Sequence, residues 1–197
     1  MVEGVIGVGK TTLTQYLAAD FGAKPFFELV EENPFLVKGF YKNVQDFGFN
    51  TEVFFLLSRF RQQRSLAADI EQGEFVISDY LFEKNSIFAS LSLGGEDREL
   101  FHLLYNALSQ NILRPDLVVY LTADISTIMQ RIRFRDRPFE RSLKSNYIER
   151  LSIAYEEFFA TYERAQVERI DVTHLDFVAR DKNYRVIRKQ IEQRIGM

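Results

Sequence analysis

Hydrophobic and polar positions divide the chain into two kinds of segment. Short apolar runs bounded by turn-forming residues are typical of strands buried in a parallel sheet. Longer segments with apolar residues three or four positions apart are typical of helices. The predicted strands are 1–3, 25–30, 74–79, 117–121 and 167–172. The first is very short, because only three residues precede the first glycine.

Helical periodicity accounts for most of the remaining chain. The predicted helices begin near Lys10 or span about 34–41, 50–72, 81–91, 97–112, 125–134, 147–165 and 184–195. Strands that alternate with helices predict an α/β fold, in which one parallel five-stranded sheet has helices on both faces. No linker, repeat or low-complexity segment divides the chain, so residues 1–197 form a single predicted domain. Ligands of such a fold bind at the carboxyl ends of the strands.

The segment from Gly4 to Thr11 reads GVIGVGKT and matches G-x-x-x-x-G-K-[ST] at every fixed position. Its glycines let successive N–H groups point at one anion, and the following helix adds the positive end of its dipole. Lys10 can reach the terminal phosphates of a nucleotide, and the Thr11 hydroxyl can ligate Mg²⁺. A chance glycine-rich turn is the alternative, but an apolar helix face follows at once. The candidate nucleotide-binding residues are Gly4, Val5, Ile6, Gly7, Val8, Gly9, Lys10, Thr11 and Thr12.

Composition argues against several classes of protein. The chain has 197 residues, of which 46% are hydrophobic, and this suffices for one domain with a sizeable core. Its formal net charge of −3 argues against a general nucleic-acid or membrane-surface binder. Without cysteine there is no disulfide framework and no cysteine metal site. We find no apolar run long enough for a membrane span and no signal-peptide pattern, and therefore expect a cytoplasmic protein.

Two carboxylates end predicted strands, where the ligand site of this fold class is expected. Glu28 interrupts an apolar run and could accept the proton of an attacking hydroxyl group, although a half-exposed strand carboxylate is the alternative. Asp79 ends the third strand, where P-loop proteins often hold the Mg²⁺ shell through an aspartate. Asp79 could also cap the helix predicted near Leu81, and the two roles are compatible.

Residues 131–141 form an arginine-rich segment, which reads RIRFRDRPFER. Arg131 and Arg135 are four positions apart on one helix face, and Arg137 lies just past the predicted helix end. Several guanidinium groups suit the charge that spreads over a transferring phosphoryl group. A solvated basic face is the commoner meaning of such a cluster, but the glycine motif favours the catalytic interpretation.

Glu52 and Arg59 lie seven positions apart on one stripe of the long predicted helix, so their Cα atoms are ~10.5 Å apart. Phe55 and Leu56 occupy the positions where Glu52 would find an ion-pair partner. A carboxylate and a guanidinium on an apolar stripe could hold a guanine edge. The carboxylate would accept from N1–H and N2–H₂, and the arginine would donate to O6 and N7. Contact with water or with another helix is the alternative.

Together these residues resemble the deoxynucleoside kinases, and the bacterial deoxyguanosine and deoxyadenosine kinases look most similar. The resemblance covers nearly the whole chain. Beyond the glycine motif it rests on 28–35 (ELVEENPF), 78–80 (SDY), 87–89 (IFA) and 131–140, and on Tyr41 followed by Phe47, Glu52 and Arg59. It implies a P-loop kinase fold with an arginine-rich lid at about 131–143. It also implies ATP and Mg²⁺ dependence and a homodimer formed through the helices after the third strand.

The resemblance implies roles for residues on the acceptor side. Glu28 looks like the base for the sugar 5′-hydroxyl. Tyr41 and Glu140 look like the pair that hydrogen-bonds the 3′-hydroxyl. Phe47 falls where an aromatic residue lines the base pocket, and Arg59 matches the base-reading arginine.

On the donor side, the lid arginines that surround the phosphates are matched by Arg131, Arg135 and Arg137. Asp176-Phe177 lies in the stretch that borders the donor adenine. Two residues depart from the family pattern. Glu52 stands where many members have glutamine, and Tyr80 stands where many have an arginine near the reacting 5′ oxygen. Lys84 is a candidate replacement for that arginine.

We therefore predict ATP- and Mg²⁺-dependent phosphorylation of the 5′-hydroxyl of a purine deoxynucleoside, with deoxyguanosine as the best acceptor. An ionised Glu52 offers only acceptors, which suit the two donors of guanine. Adenine presents an acceptor at N1, which would face the carboxylate unfavourably unless Glu52 were protonated. Asn50 or Glu83 could supply a different edge pattern, so deoxyadenosine or a broad acceptor range is the first alternative.

Three other functions are less well supported. A thymidylate-type monophosphate kinase would need cations for an acceptor phosphate where this chain has Glu28. A non-catalytic nucleotide-binding scaffold, which the family also includes, would not need both Lys10 and Glu28. A GTPase switch would need a guanine-reading N-K-x-D motif, which we do not find.

Overall fold

The computed structural model describes residues 1–177 and 182–196. The strands are β1 (Val2–Gly4), β2 (Lys24–Phe26), β3 (Val76–Ser78), β4 (Leu117–Thr122) and β5 (Gln166–Asp171). All the pairings between them are parallel. They form a three-stranded sheet in the order β1-β4-β5 and a two-stranded sheet of β2 and β3. The predicted α/β class is confirmed, and the carboxyl ends of β1, β4 and β5 share one edge.

The prediction of one five-stranded sheet is wrong, because β1 and β3 belong to different sheets. β1 is three residues long and its backbone pairs with β4. A side chain makes the link toward β3 instead. The carboxylate of Glu3 accepts from the backbone N–H of Leu81, three residues after β3, at 2.8 Å. The hydrophobic pattern cannot predict this division, because it indicates where strands lie along the chain and not which strands pair with each other.

Helices occupy most of the rest of the described chain. They are α1 (Lys10–Phe21), α2 (Pro34–Gly39), α3 (Val44–Glu71), α4 (Lys84–Ser92), α5 (Gly95–Ser109), α6 (Ile125–Arg135), α7 (Ser145–Ala160) and α8 (Lys182–Ile195). Short 3₁₀ turns lie at Val30–Glu32 and Pro138–Glu140. Among the described residues, no helix has both the length and the apolar character needed to cross a bilayer.

Helix α3 begins six residues earlier than predicted. The Asn43 side chain caps it by accepting from the backbone N–H of Asp46 at 3.3 Å. A side-chain acceptor at this position satisfies one of the N–H groups that a helix start leaves unpaired. The extra turns include Phe47, which therefore lies on α3 and not in a preceding loop.

Two predicted site residues lie outside the elements assigned to them. β2 ends at Phe26, so Glu28 follows the strand and is not part of it. Helix α4 begins at Lys84, with Glu83 at its cap position, so Asp79 does not cap a helix. Both carboxylates lie in connecting segments, which leaves their side chains available to other residues.

Two apolar cores hold these segments in place. The larger core surrounds β4, whose Val118, Tyr120 and Leu121 are buried, and it includes residues of α1, α6, α7 and α8. The smaller core joins α3, α4 and α5 through residues such as Leu56 and Phe101. Helices α3 and α4 therefore form a fixed wall beside the ends of β2 and β3.

Candidate functional site

The glycine loop, residues 4–9, adopts a backbone that side chains would obstruct. Gly7 and Gly9 have φ values of +84° and +113°, in the left-handed region that favours glycine. A Cβ on Gly9 would lie 2.6 Å from the ring of Phe177. Lys10 Nζ donates to the backbone oxygens of Gly4 at 2.7 Å and Val5 at 3.0 Å, so the lysine spans the loop.

The charge state of Lys10 reflects its surroundings. Burial, and next the positive charge of Lys84, lower the pKa of Lys10 to about 8. The carboxylates of Glu3, Glu28 and Asp79 act in the opposite direction. Lys10 is therefore mostly protonated at neutral pH and can contact an anion at the glycine loop.

A chain of hydrogen bonds joins α1 to the ends of β2 and β3. Thr11 Oγ1 donates to Asp79 Oδ2 at 2.6 Å. Asp79 Oδ1 accepts from the backbone N–H of Glu28 at 2.7 Å. Burial raises the pKa of the Asp79 carboxyl, and the negative charge of Glu28 acts in the same direction. Three residues that the sequence nominated separately thus lie in one connected group.

The Glu28 carboxylate lies between two cations. Its Oε1 accepts from Arg59 Nε at 2.8 Å and also from Arg59 Nη2, and its Oε2 accepts from Lys84 Nζ at 2.9 Å. Burial alone would raise the pKa of Glu28. The charges of Arg59 and Lys84 outweigh it and hold the pKa far below the usual range. Glu28 is therefore ionised and can accept a hydrogen bond from a hydroxyl group.

Lys84 is the predicted replacement for the arginine that many family members have at the position of Tyr80. The side chain of Tyr80 is buried, and its hydroxyl has no hydrogen-bond partner among the described residues. Lys84 is only 3% exposed, and its Nζ lies 2.9 Å from Glu28 and 3.9 Å from Glu3. The structure thus brings Lys84 to the predicted base, and its catalytic role stays a prediction.

Glu3 is the residue of this group that sequence analysis missed. Its Oε1 accepts from the backbone N–H of Gly4 at 2.8 Å and from the Tyr155 hydroxyl at 2.9 Å. Its Oε2 bonds to Leu81, as described above, so Glu3 joins β1, α7 and the segment before α4. The sequence does contain a signal for Glu3, because a carboxylate within an otherwise apolar, buried strand needs polar partners.

Glu52 occupies a different environment on α3. Its side chain is buried, with the residue 1% exposed, and Oε1 accepts from the Ser92 hydroxyl at 2.9 Å. Oε2 has no hydrogen-bond partner within residues 1–177 and 182–196. Burial raises the pKa of Glu52 to about 7, against the opposing effects of the Ser92 hydrogen bond and the charge of Arg59.

Arg59, the predicted partner of Glu52, directs its donors to other residues. Nε and Nη2 bind Glu28, and Nη1 donates to Asn85 Oδ1. The guanidinium also lies 4.8 Å from the centre of the Phe55 ring. The structure does not join Glu52 and Arg59 around one space, so base contact by Arg59 stays a prediction.

Aromatic side chains gather beside Glu52. The rings of Tyr41 and Tyr147 meet edge to face, with centroids 5.6 Å apart. Burial raises the pKa of Tyr41 well above its ordinary value, and Tyr147, Glu140 and Glu52 add to the effect. Phe47 is half-buried near the start of α3. Sequence analysis missed Tyr147, whose hydroxyl lacks a hydrogen-bond partner in the described part of the chain.

Arg131 binds backbone oxygens. Its Nη1 donates to Val8 at 3.0 Å, and its Nη2 donates to Val172 at 2.9 Å and to Leu175 at 3.3 Å. The side chain therefore joins α6, the glycine loop and the segment after β5. Contact with donor phosphates, which the sequence predicted for Arg131, would use donors that these carbonyls now occupy.

Arg135 and Arg137 contact acidic side chains. Arg135 Nε and Nη2 bind the two oxygens of Glu140 at 2.8 and 2.5 Å. Arg137 lies 3.6 Å from Glu31 and 4.0 Å from Glu140. Both arginine side chains remain about one third exposed, at 34% and 33%. Residues predicted for the donor and acceptor sides thus share one ion-pair cluster.

The pair Asp176-Phe177 lies against the glycine loop at the end of the first described range. Phe177 is buried, and its ring centre is 6.0 Å from the Arg131 guanidinium. The backbone oxygen of Asp176 accepts from the Asn183 side chain at 3.2 Å. The structure therefore brings this pair to the predicted donor side.

Thr11 and Asp79 provide the candidate magnesium site. Mg²⁺ prefers oxygen ligands and is usually held by one or two carboxylates together with water and substrate phosphates. The Thr11 hydroxyl and an Asp79 carboxylate oxygen lie 2.6 Å apart next to the glycine loop, which fits that pattern. No cluster of three or more His, Cys, Asp or Glu residues suited to a metal occurs in the described ranges.

Comparison with known proteins identifies the family. The family model for deoxynucleoside kinases matches residues 1–196. Deoxyguanosine kinase of Bacillus subtilis (strain 168) is 34% identical, over 98% of this chain and 96% of that protein. Deoxyadenosine/deoxycytidine kinase of the same organism is 29% identical, over 96% of this chain and 89% of that protein.

A solved structure gives the same result for the fold. Deoxyadenosine kinase from M. mycoides, with the products dCMP and a flexible dCDP bound, has a TM-score of 0.82 to this chain. The two are 26% identical, and the match covers 98% of this chain and 97% of the other. The names of these similar proteins include more than one deoxynucleoside, so similarity leaves the preferred base undecided.

Proposed function

Since this chain belongs to the deoxynucleoside kinase family and is a phosphotransferase, we propose that deoxyguanosine is its preferred acceptor. The proposed donor is ATP, with Mg²⁺ bound beside it. One observation carries the choice of base. Glu52 presents a buried carboxyl whose Oε2 has no hydrogen-bond partner in the described ranges, and the ionised carboxyl offers only acceptors.

Glu28 is proposed as the base in the transfer. It removes the proton from the 5′-hydroxyl as the 5′ oxygen bonds to the γ-phosphorus of ATP. The bond from that phosphorus to the β,γ-bridging oxygen breaks, and ADP leaves with the electron pair. Because Arg59 and Lys84 keep Glu28 ionised, its carboxylate can accept a hydrogen bond from the 5′-hydroxyl at any pH near neutrality.

Cations around Glu28 are proposed to stabilise the transferring group. Lys10 spans the glycine loop, and Lys84 approaches from α4 on the acceptor side. Phosphoryl transfer depends mainly on positioning and on neutralising negative charge. Thr11 and Asp79 would hold Mg²⁺, which when bound neutralises charge on the donor phosphates.

Sugar and base contacts complete the proposal. Tyr41 and Glu140 would hold the 3′-hydroxyl, and Glu52 would accept from N1–H and N2–H₂ of guanine. Deoxyadenosine is the second candidate, because the pKa of Glu52 is raised to about 7 and the protonated carboxyl could donate to N1 of adenine. The homodimer expected from the resemblance stays a prediction.

The proposal is tested by measuring kcat/KM for the four deoxynucleosides with ATP and Mg²⁺ at about pH 8, above the pKa of Glu52. Deoxyguanosine should be the best acceptor. Glu52→Gln should lower its advantage by about tenfold to a hundredfold, the range for a two-point base contact. Glu71→Gln, an exposed change on the same helix, is the matched control. A preference for deoxyadenosine or for a pyrimidine at this pH, or an unchanged order in Glu52→Gln, would refute the assignment.

A further inference from the structure

Glu52 is a buried acid with half of its hydrogen-bonding capacity unused. Ser92 donates to Oε1, and Oε2 faces no donor within hydrogen-bond distance in the described residues. Buried polar atoms in folded proteins nearly always have a partner. The buried hydroxyl of Tyr147, on α7, belongs to the same group of polar side chains, since the charge of Glu52 acts on its pKa. An incoming ligand with a polar edge would satisfy Oε2.

Among the residues that the structure describes, no neighbouring charge pairs with Glu52. From its own helix Arg59 is committed to Glu28, and from α4 Lys84 is committed to Glu28 as well. Glu28 itself, after β2, is an anion. Two tyrosines in the described part of the chain, Tyr41 after α2 and Tyr147 on α7, also lie near Glu52, and both have pKa values raised above normal, chiefly by burial.

The two purines present opposite patterns to such a group. Guanine offers two donors, N1–H and N2–H₂, which match the two oxygens of a carboxylate. Adenine offers an acceptor at N1 beside a donor at N6, which match a protonated carboxyl, whose O–H donates and whose carbonyl oxygen accepts. One side chain can therefore make two bonds to either base, and the difference is a single proton.

We propose that Glu52 recognises both purine deoxynucleosides, guanine as a carboxylate and adenine as a carboxylic acid, so that the proton on Glu52 selects the acceptor. This inference rests on the proposed function, in which Glu52 faces the base. It makes Glu52 a specificity-determining residue, and it makes the ratio of the two activities depend on pH.

The electrostatics support both protonation states near neutrality. The pKa of Glu52 is about 7, raised mainly by burial. The Glu28 side chain is only 10% exposed, yet two cations hold its pKa far below the usual range. The contrast follows from ion pairing, since burial disfavours a charge that has no partner.

The expected effect has a simple form. Activity with deoxyguanosine follows the ionised fraction of Glu52, and activity with deoxyadenosine follows the protonated fraction. The protonated fraction divided by the ionised fraction, and with it the ratio of deoxyadenosine to deoxyguanosine activity, falls by about tenfold for each unit of rising pH. Titrations that affect both substrates alike, such as those of Lys10 or the donor, cancel in this quotient.

The test measures kcat/KM for both purine deoxynucleosides with the full chain, ATP and Mg²⁺, from about pH 6 to about pH 8, on either side of the pKa. The ratio of deoxyadenosine to deoxyguanosine should fall by up to about a hundredfold. Glu52→Gln cannot ionise there, so its ratio should be independent of pH. Ser92→Ala removes a bond that favours the ionised form, so its ratio should be shifted toward deoxyadenosine at each pH. Glu71→Gln should behave as the unmodified chain.

Several outcomes would overturn the inference. A ratio that does not change with pH in the unmodified chain would do so while leaving the proposed function intact. The same slope in Glu52→Gln would assign the effect to another group. Use of neither purine would refute the proposed function, and this inference with it.

Discussion

At the scale of single residues, ion pairing distinguishes two carboxylates that both lie largely out of solvent. Glu28 lies against Arg59 and Lys84 and stays ionised, whereas Glu52 is hydrogen-bonded, within residues 1–177 and 182–196, only by the Ser92 hydroxyl, and its pKa rises to about 7. Carboxyl groups whose environments push their pKa values apart commonly divide acid and base roles. We propose that the division here falls between proton acceptance from the sugar by Glu28 and recognition of the base by Glu52.

Replacing Glu28 tests its role as the base. Glu28→Gln should lower kcat by about 10²–10⁴, because the amide cannot accept the 5′-hydroxyl proton. ATP affinity should change little, since Glu28 contacts α3 and α4 side chains and not the glycine loop. Measurements of kcat, ATP affinity and thermal unfolding separate loss of chemistry from loss of fold. Near-normal turnover in a folded variant would contradict the assignment.

Sequence analysis predicted Glu28, Asp79 and Thr11 as site residues because each carries a motif or follows a strand. It missed Glu3 and Tyr147, whose importance depends on partners far along the chain. It also paired Arg59 with Glu52 through helical spacing alone. Spacing shows which residues share one side of a helix. It cannot show that the Arg59 guanidinium binds Glu28, which lies outside that helix.

At the scale of elements, α6 and the glycine loop form one packed unit. A Cβ on Gly7 would lie 2.6 Å from the Ile132 side chain, so the loop and the helix approach as closely as glycine permits. Arg131 extends this unit to the segment after β5. The helices were predictable from periodicity. Their ends were less so, because caps such as Asn43 act through single hydrogen bonds.

Substitutions of two arginines on α6 are expected to change different kinetic constants. Arg131→Ala should raise the KM for ATP several-fold more than the KM for deoxyguanosine, because it loosens the glycine loop against the segment after β5. Arg135→Ala should lower kcat more than it raises the nucleoside KM, as expected for a contact made mainly in the transition state. Arg133→Ala, exposed on the same helix, is the control. A change confined to the nucleoside KM would place Arg135 in the acceptor pocket.

At the scale of the whole molecule, the fold gathers ionisable groups from several elements into one buried region. Glu3 comes from β1, Lys84 from α4, Glu52 and Arg59 from α3, and Glu28 from the segment after β2. The α/β class and the order of elements were predictable from the sequence. The division into two sheets was not, because a side-chain bond from Glu3 replaces backbone pairing between β1 and the β3 end. The stability of the fold should therefore respond to pH through these groups.

The unpaired acid should weaken the fold as pH rises. The pKa of Glu52 is raised in the folded chain from its ordinary 4.5 to about 7, so the protonated form favours folding. The contribution of Glu52 to the free energy of unfolding should fall between these values, by about 3 kcal/mol, and stay constant above them. Glu52→Gln removes the ionisation, so its gain in stability over the unmodified chain should be larger at about pH 8 than at about pH 5. Urea unfolding at both pH values measures this gain, with Glu71→Gln as the exposed control. An equal difference between Glu52→Gln and the unmodified chain at both pH values would show that Glu52 ionises as easily in the folded chain as in water.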